Sequence, residues 1–295
     1  MKNKLKIFVG IMLLNIFVLV GCGNDDEIVI GGKNFTEQYI MSEMLSILIE
    51  ENTDLETDIV SNLAGSTIHD AILSEEIDLY LEYTGTALIN IGEEPITDPD
   101  VVYNTVKEYF EEELDIKWLE PYGFNNTYAM VVTQETADEY NLETYSDMAE
   151  VGDQLRLGST HVFTERDDGY PGLIEHYDFD FASVNGMDPG LMYQALMTNE
   201  VEVISAFATE GRIPAFDLVI LKDDKQFFPP YDAAPIIRME VLEEHPELEE
   251  LLNSLAGRID DLKMGELNAL VDLEGQDPED VARDFLLEEG LIAEN

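Results

Sequence analysis

Residues 81–88 read LEYTGTAL, an aromatic ring and two hydroxyls gathered around one glycine. Glycine lets a backbone turn or come close to another group. Tyr83 offers a ring face, and Thr84 and Thr86 offer hydroxyls. A second stretch, GGKNFTEQYIMSEML, carries Lys33 in a glycine-led loop at a helix start. Helix N-termini attract anions, and a lysine there adds charge. It is not a phosphate loop, because the GxxxxGK[ST] spacing is absent. Each residue alone has a plainer reading. Lys33 reads as a solvated surface lysine. Thr86 reads as a cap of the following helix. Arg166, among acids at 165, 167 and 168, reads as a surface ion pair. Any one of thirteen tyrosines and thirteen phenylalanines reads as core.

Nothing in the chain points to catalysis. Paired carboxylates occur throughout, so a pair is no sign of general acid–base chemistry. There is no GxSxG, and the single cysteine, Cys22, is taken by the lipidation site described below. His69, His161, His176 and His245 are scattered without the HExxH spacing of a metal site. DLEGQDPED has a calcium-like composition but lacks the EF-hand spacing. No metal and no cofactor are expected.

The elements that must position these residues alternate between strand and helix. EIVIGG (27–32) reads as a buried strand ending in a glycine turn. From Thr36, a plausible N-cap, to Glu51, the residues Ile40, Met44, Leu45, Leu48 and Ile49 share a helical face. Residues 55–63 alternate as a strand, and Ser66 or Thr67 caps a helix through Leu73. EIDLYLEY (76–83) is a strand, which puts LEYTGTAL at its C-terminal end and at the start of the next helix. In open α/β sheets ligands sit in such a crevice. A helix spans Pro99 to Leu114, residues 115–119 are extended, and NNTYAMVVT (125–133) is a strand entering a second region. A short helical segment (Tyr145 to Val151), strands at 155–159, 201–207 and 216–224, and a helix from Asp188 to Asn199 follow. Residues 231–238 are extended, and acidic helices fill 240–289. The class is α/β.

Lys2, Lys4 and Lys6 precede an apolar run from Ile7 to Val20 that ends in LVGC. The run is short for a membrane span and suits a secretory leader. Small residues before Cys22 resemble the bacterial lipoprotein processing site, with Cys22 lipidated as the first mature residue. Residues 1–21 are then signal peptide and 22–27 a tether. The chain has 15 basic and 64 acidic residues and a net charge of −49. The leader removes three lysines and no acids, so the mature charge is −52. Such a charge repels nucleic acid and anionic lipid. It also repels itself, a penalty that shrinks in about 1 M salt, where the screening length is roughly 3 Å. A surface adapted to high external salt is expected.

GGKNFTEQY, EIDLYLEYTGTAL, GFNNTYAMVV, HVFTERDDGYPGL, VISAFATEGRI and YDAAPIIR occur in this order. Together they resemble the substrate-binding proteins of osmoprotectant ABC importers, which take up glycine betaine, carnitine, choline and proline betaine. The resemblance implies a two-lobed fold of the periplasmic-binding-protein class (type II), with ligand in the cleft between lobes. It implies lobe 1 from 28–125 and 232–295, and lobe 2 from 126–231. An aromatic cage for the quaternary ammonium falls on Tyr83, Tyr128, Phe207 and Tyr231. Phe207 stands where the family pattern has tyrosine; it keeps the ring face and loses the hydroxyl. The ligand carboxylate falls to Lys33, Thr86 and Arg166, with Gln38 a further candidate and Glu210 given no ligand contact. The physics is coherent: a trimethylammonium has no N–H to donate, and ring faces attract it by roughly 0.5–2 kcal/mol each. The implied protein is a monomer, lipid-anchored outside the cell. It catalyses nothing and hands a quaternary amine to permease and ATPase subunits in other chains.

Overall fold

A computed structural model describes residues 27–93, 96–165 and 169–293. Cys22 and Arg166 lie outside the described residues. Ten strands among the described residues make two five-stranded sheets. The first contains β1 (Glu27–Lys33), β2 (Glu56–Leu63), β3 (Leu79–Tyr83), β4 (Ile116–Trp118) and β10 (Ala233–Arg238), in the order β2-β1-β3-β10-β4. The second contains β5 (Tyr128–Thr133), β6 (Arg156–Ser159), β7 (Ser183–Gly186), β8 (Val203–Phe207) and β9 (Leu218–Ile220), in the order β7-β6-β8-β5-β9. Both follow one plan. Three neighbouring strands run parallel, the fourth runs against them, and an edge strand antiparallel to the fourth, and so aligned with the first three, completes the sheet. The fourth strand in each case is the one that arrives from the other sheet, β10 in the first and β5 in the second.

Burial explains the local choices. All five residues of β3 are buried, as a central strand covered on both faces requires. One face packs on helix α1 (Thr36–Asn52) and the C-terminal helices, through Ile40, Met44, Leu48, Leu267 and Phe285. The other packs on α2 (Gly65–Leu73), α3 (Thr84–Asn90) and α4 (Pro99–Glu113), through Ile68, Leu88, Val106 and Phe110. The second sheet has its own two apolar layers, one around Tyr145, Phe163 and Leu173, the other around Met192, Leu196 and Ile204.

Several expected boundaries move. β3 starts at Leu79 rather than 76, because Glu75 takes a left-handed φ of 62° and the Asp78 carboxylate accepts the Val29 N–H at 2.8 Å. The N-cap of α1 is Phe35, not Thr36, and no side chain caps it. The Thr36 hydroxyl instead donates to Asp272 at 2.6 Å. α2 begins at Gly65 with Ala64 at its N-cap, ahead of Ser66 and Thr67. The strand expected over 216–224 narrows to Leu218–Ile220, with Asp217 at a φ of 50° just before it.

Candidate functional site

The parallel strands β1 and β3 end at Lys33 and Tyr83, and β10 begins at Ala233 opposite Tyr83. In the second sheet β8 ends at Phe207, opposite Tyr128, the first residue of β5. These edges border a common cleft of about 650 Å³, within the range of roughly 300–1,000 Å³ typical of small-molecule sites. Lys33, Tyr83, Thr86, Tyr128, Phe207 and Tyr231 all line it. Residues separated by up to 198 positions in the chain are therefore brought to one cavity.

Register places the aromatic pair. Tyr128 and Phe207 are direct partners across antiparallel strands, so their side chains share a face. Their rings stack with centroids 4.7 Å apart at 26°. Phe163 and Phe228 back Tyr128 at 5.0 and 5.7 Å. Phe207 is 40% exposed and so presents a ring to the cleft.

The glycine of LEYTGTAL serves close approach. A Cβ at Gly85 would lie 2.7 Å from the Pro230 carbonyl oxygen and 2.9 Å from the Tyr231 ring. Thr84 fixes the same segment. Its N–H donates to the Asp232 carbonyl at 3.1 Å, and its hydroxyl accepts the Asp232 N–H at 3.1 Å. Asn125 holds Tyr231 from the other crossover by accepting its N–H at 2.7 Å. Tyr231 is thus set against the start of α3, with Thr86 one residue beyond Gly85.

The cationic end is more crowded than the sequence suggested. Lys33 is only 5% exposed and its ammonium forms an ion pair with Glu82, which is fully buried. Glu82 also accepts the Tyr80 hydroxyl at 2.9 Å and the Tyr83 N–H at 2.7 Å. The Lys33 ammonium lies 4.6 Å from the centre of the Tyr83 ring, a cation–π distance. An ammonium has three donors, so pairing with Glu82 leaves capacity for a ligand oxygen. Gln38 sits behind this wall, fully buried; it donates to the Leu81 carbonyl at 3.1 Å and to the Tyr83 hydroxyl at 3.0 Å.

Sequence reasoning missed several participants. Glu82 was in plain view, an acid inside an apolar strand, and a buried charge requires a partner. Glu37 is 2% exposed, and its carboxylate accepts the Tyr83 hydroxyl at 2.5 Å and the Asn126 amide at 2.9 Å. Burial raises its pKa, against the opposite pull of the surrounding Tyr83, Thr209, Asn126 and Asn268. Phe35 stacks near Tyr83 at 6.3 Å and is 37% exposed at the cleft. Glu210 also lines the cleft, but its oxygens accept the Tyr193 hydroxyl at 2.6 Å and the Phe207 N–H at 3.1 Å. Burial raises its pKa as well. No spacing rule signals Asn126, Thr209 or Asn268, because each reaches the cleft from a different segment.

Two α/β lobes whose strand ends converge on one cleft define a two-lobed solute-binding protein of the periplasmic-binding-protein class. Residues 26–288 match the family model of the substrate binding domain of ABC-type glycine betaine transport systems, and the chain belongs to this family. It is 43% identical over 272 residues to the carnitine transport binding protein OpuCC of Listeria monocytogenes, covering 90% of this chain and 88% of that protein. It is 36% identical to the ergothioneine transport permease/ergothioneine binding protein EgtU of Helicobacter pylori, covering 98% of this chain and 53% of that longer protein. The crystal structure of a glycine betaine/carnitine/choline ABC transporter protein superposes with a TM-score of 0.87 at 40% identity, over 90% of this chain and 99% of the other. Proteins of this kind capture small ligands outside the cytoplasm and deliver them to permease and ATPase subunits.

Proposed function

We propose that the cleft binds a quaternary-ammonium compound carrying a carboxylate, with glycine betaine, carnitine and proline betaine the leading candidates. The observation that carries this reading is the convergence of Tyr83, Tyr128, Phe207 and Tyr231 with Lys33 and Thr86 on one cavity. The rings receive the ammonium, while Lys33 and Thr86, joined by Arg166, receive the carboxylate. Choline, lacking a carboxylate, offers no acceptor to Arg166 or to the donors of the Lys33 ammonium that Glu82 leaves free. The ligand leaves unchanged, and no reaction is assigned to the chain. The two lobes, 28–125 with 232–295 and 126–231, close by bending at the paired crossovers that hold Asn125 and Asp232. Cys22 carries the lipid that keeps the protein at the outer face of the membrane.

Calorimetric titration of the soluble form, residues 23–295, with glycine betaine, carnitine and choline tests this. Saturable 1:1 binding of the carboxylated ligands, lost in Arg166→Ala, is the expected result. Binding of choline alone overturns the roles of Lys33 and Arg166 and keeps the cage. The ergothioneine relative and the cleft volume support a larger betaine as the second reading, and ergothioneine belongs in the same titration.

A further inference from the structure

Glu37 stands where separate parts of the molecule meet. It is the second residue of α1. Its Oε1 accepts the Tyr83 hydroxyl of β3 and the amide of Asn126, in the crossover that leads to β5. Thr209, two residues beyond β8, and Asn268, on the helix Asp261–Asp272, also flank its carboxyl. Asn268 donates in turn to the Thr209 carbonyl at 2.8 Å. That last contact joins the C-terminal helices to the second sheet, and it is tight. A Cβ on Gly211 would lie 2.5 Å from the Ala269 nitrogen.

Among the described residues, two buried oxygens of this cluster have no hydrogen-bond partner, Glu37 Oε2 and Asn268 Oδ1. With an ionised Glu37, Oε2 is a buried acceptor that no donor meets with hydrogen-bond geometry, an arrangement that costs free energy in a dry interior. One proton on Oε2 makes it a hydroxyl and removes the uncompensated charge from that dry site. Oε1 then keeps its two donors unchanged. Burial acts in the same direction by disfavouring the charged form.

We propose that Glu37 is a positioning residue, held as the neutral acid, that fixes the Tyr83 hydroxyl and ties it to Asn126, Thr209 and Asn268 across the junction of the two lobes. The inference rests on the cleft being the quaternary-ammonium site. Losing the proton strands a charge at that junction, loosens Tyr83 and weakens the closed form. Among the described residues, the other charged and titratable groups of this cleft are otherwise engaged. From β3, Tyr83 has a hydroxyl whose pKa burial lifts far above the physiological range. Lys33 and Glu82 neutralise each other. Asp272, on the same helix as Asn268, accepts from Thr36, and Glu210 accepts from Tyr193 and Phe207.

The test titrates glycine betaine and carnitine into the full chain in detergent, as wild type, Glu37→Gln and Glu37→Ala, from about pH 6 to about pH 9, with ligand-free melting curves over the same range. Glutamine keeps the carbonyl acceptor at Oε1 and, like the protonated acid, carries no charge. It is expected to bind within about threefold of wild type near neutrality and to lose the wild type's decline at high pH, while alanine is at least about tenfold weaker throughout. Without ligand, wild type is expected to lose stability relative to Glu37→Gln as pH rises above the ordinary value of 4.5 toward the raised folded value. Glutamine as weak as alanine would mean that the negative charge itself is used, and alanine equal to wild type would remove the role; either overturns the proposal. A constant melting offset at all pH values overturns it as well. If alanine does not fold, the glutamine variant and the wild-type pH profile decide. If wild type binds neither ligand, the ligand class fails, and the ligand-free melting curves still judge Glu37.

Discussion

Replacing Glu82 by alanine should destabilise the first lobe severely, although the residue is never expected to touch ligand. Glu82 is fully buried and the Lys33 side chain is 7% exposed. Removing the acid strands an ammonium in a dry wall and orphans two further donors, the Tyr80 hydroxyl and the Tyr83 N–H. Breaking a buried pair by deleting one partner costs about 3–5 kcal/mol. The stranded lysine can shed part of that by losing its proton, which favours the lower end. At about 2–4 °C per kcal/mol for a domain of this size, the melting temperature should fall by roughly 6–20 °C. Urea or thermal unfolding followed by circular dichroism, without ligand, reads it. The double variant Lys33→Met with Glu82→Leu should recover the part of the loss due to the stranded ammonium, since an apolar pair of similar volume replaces a buried ion pair at little cost, while the orphaned Tyr80 and Tyr83 donors keep the remainder. Because buried charges are poorly screened, the single-variant loss should persist from about 0.1 M to about 1 M salt. A loss below about 1 kcal/mol, the scale of an exposed pair, or one that vanishes in molar salt, would refute the reasoning.

Gly85→Ala should push Tyr231 off its seat and cost about 1–3 kcal/mol of stability as an overpacked contact, with ligand affinity falling in calorimetry. Phe207→Ala should weaken binding roughly 2- to 30-fold, the worth of one ring face, while Phe207→Tyr retains it. Burial and the charges of Asp261 and Asp100 push the Asp232 carboxyl up to about 6. A raised folded pKa means its stabilising contribution is complete below the unfolded value of about 3.9 and lost as pH rises through about 6. Melting curves of Asp232→Asn should therefore be flatter than wild type between those values. With a net charge of −49, the protein should melt at lower temperature in millimolar than in molar salt, and an unchanged melting temperature would contradict an adaptation to high salt.

Strand and helix alternation was legible because it follows local periodicity. The C-terminal end of EIDLYLEY was placed correctly at Tyr83, where five buried residues in a row mark a central strand. Its start was misplaced because Glu75 turns left-handed and Asp78 serves β1 and Arg238, choices made by tertiary hydrogen bonds. The polar strand Ser183–Gly186 carried no apolar alternation and went unread; its pairing with β6 places it. The caps failed for a similar reason. Thr36 has a capping side chain, but Asp272, 236 positions away, takes its hydroxyl.

The sequence by itself determined the class, the acidity and the residue types brought to the cleft, because composition and period are properties of the chain alone. Ordered motifs also named most of the cleft's rings and one of its cations. Only the tertiary structure decided how those groups are used. Register stacks Phe207 on Tyr128. The missing Cβ of Gly85 admits Tyr231. Burial makes Glu82 the partner of Lys33, and gathers Glu37 with Asn126, Thr209 and Asn268. Charge pairing and protonation depend on what surrounds a group once water is excluded, and those surroundings come from segments that no local pattern connects.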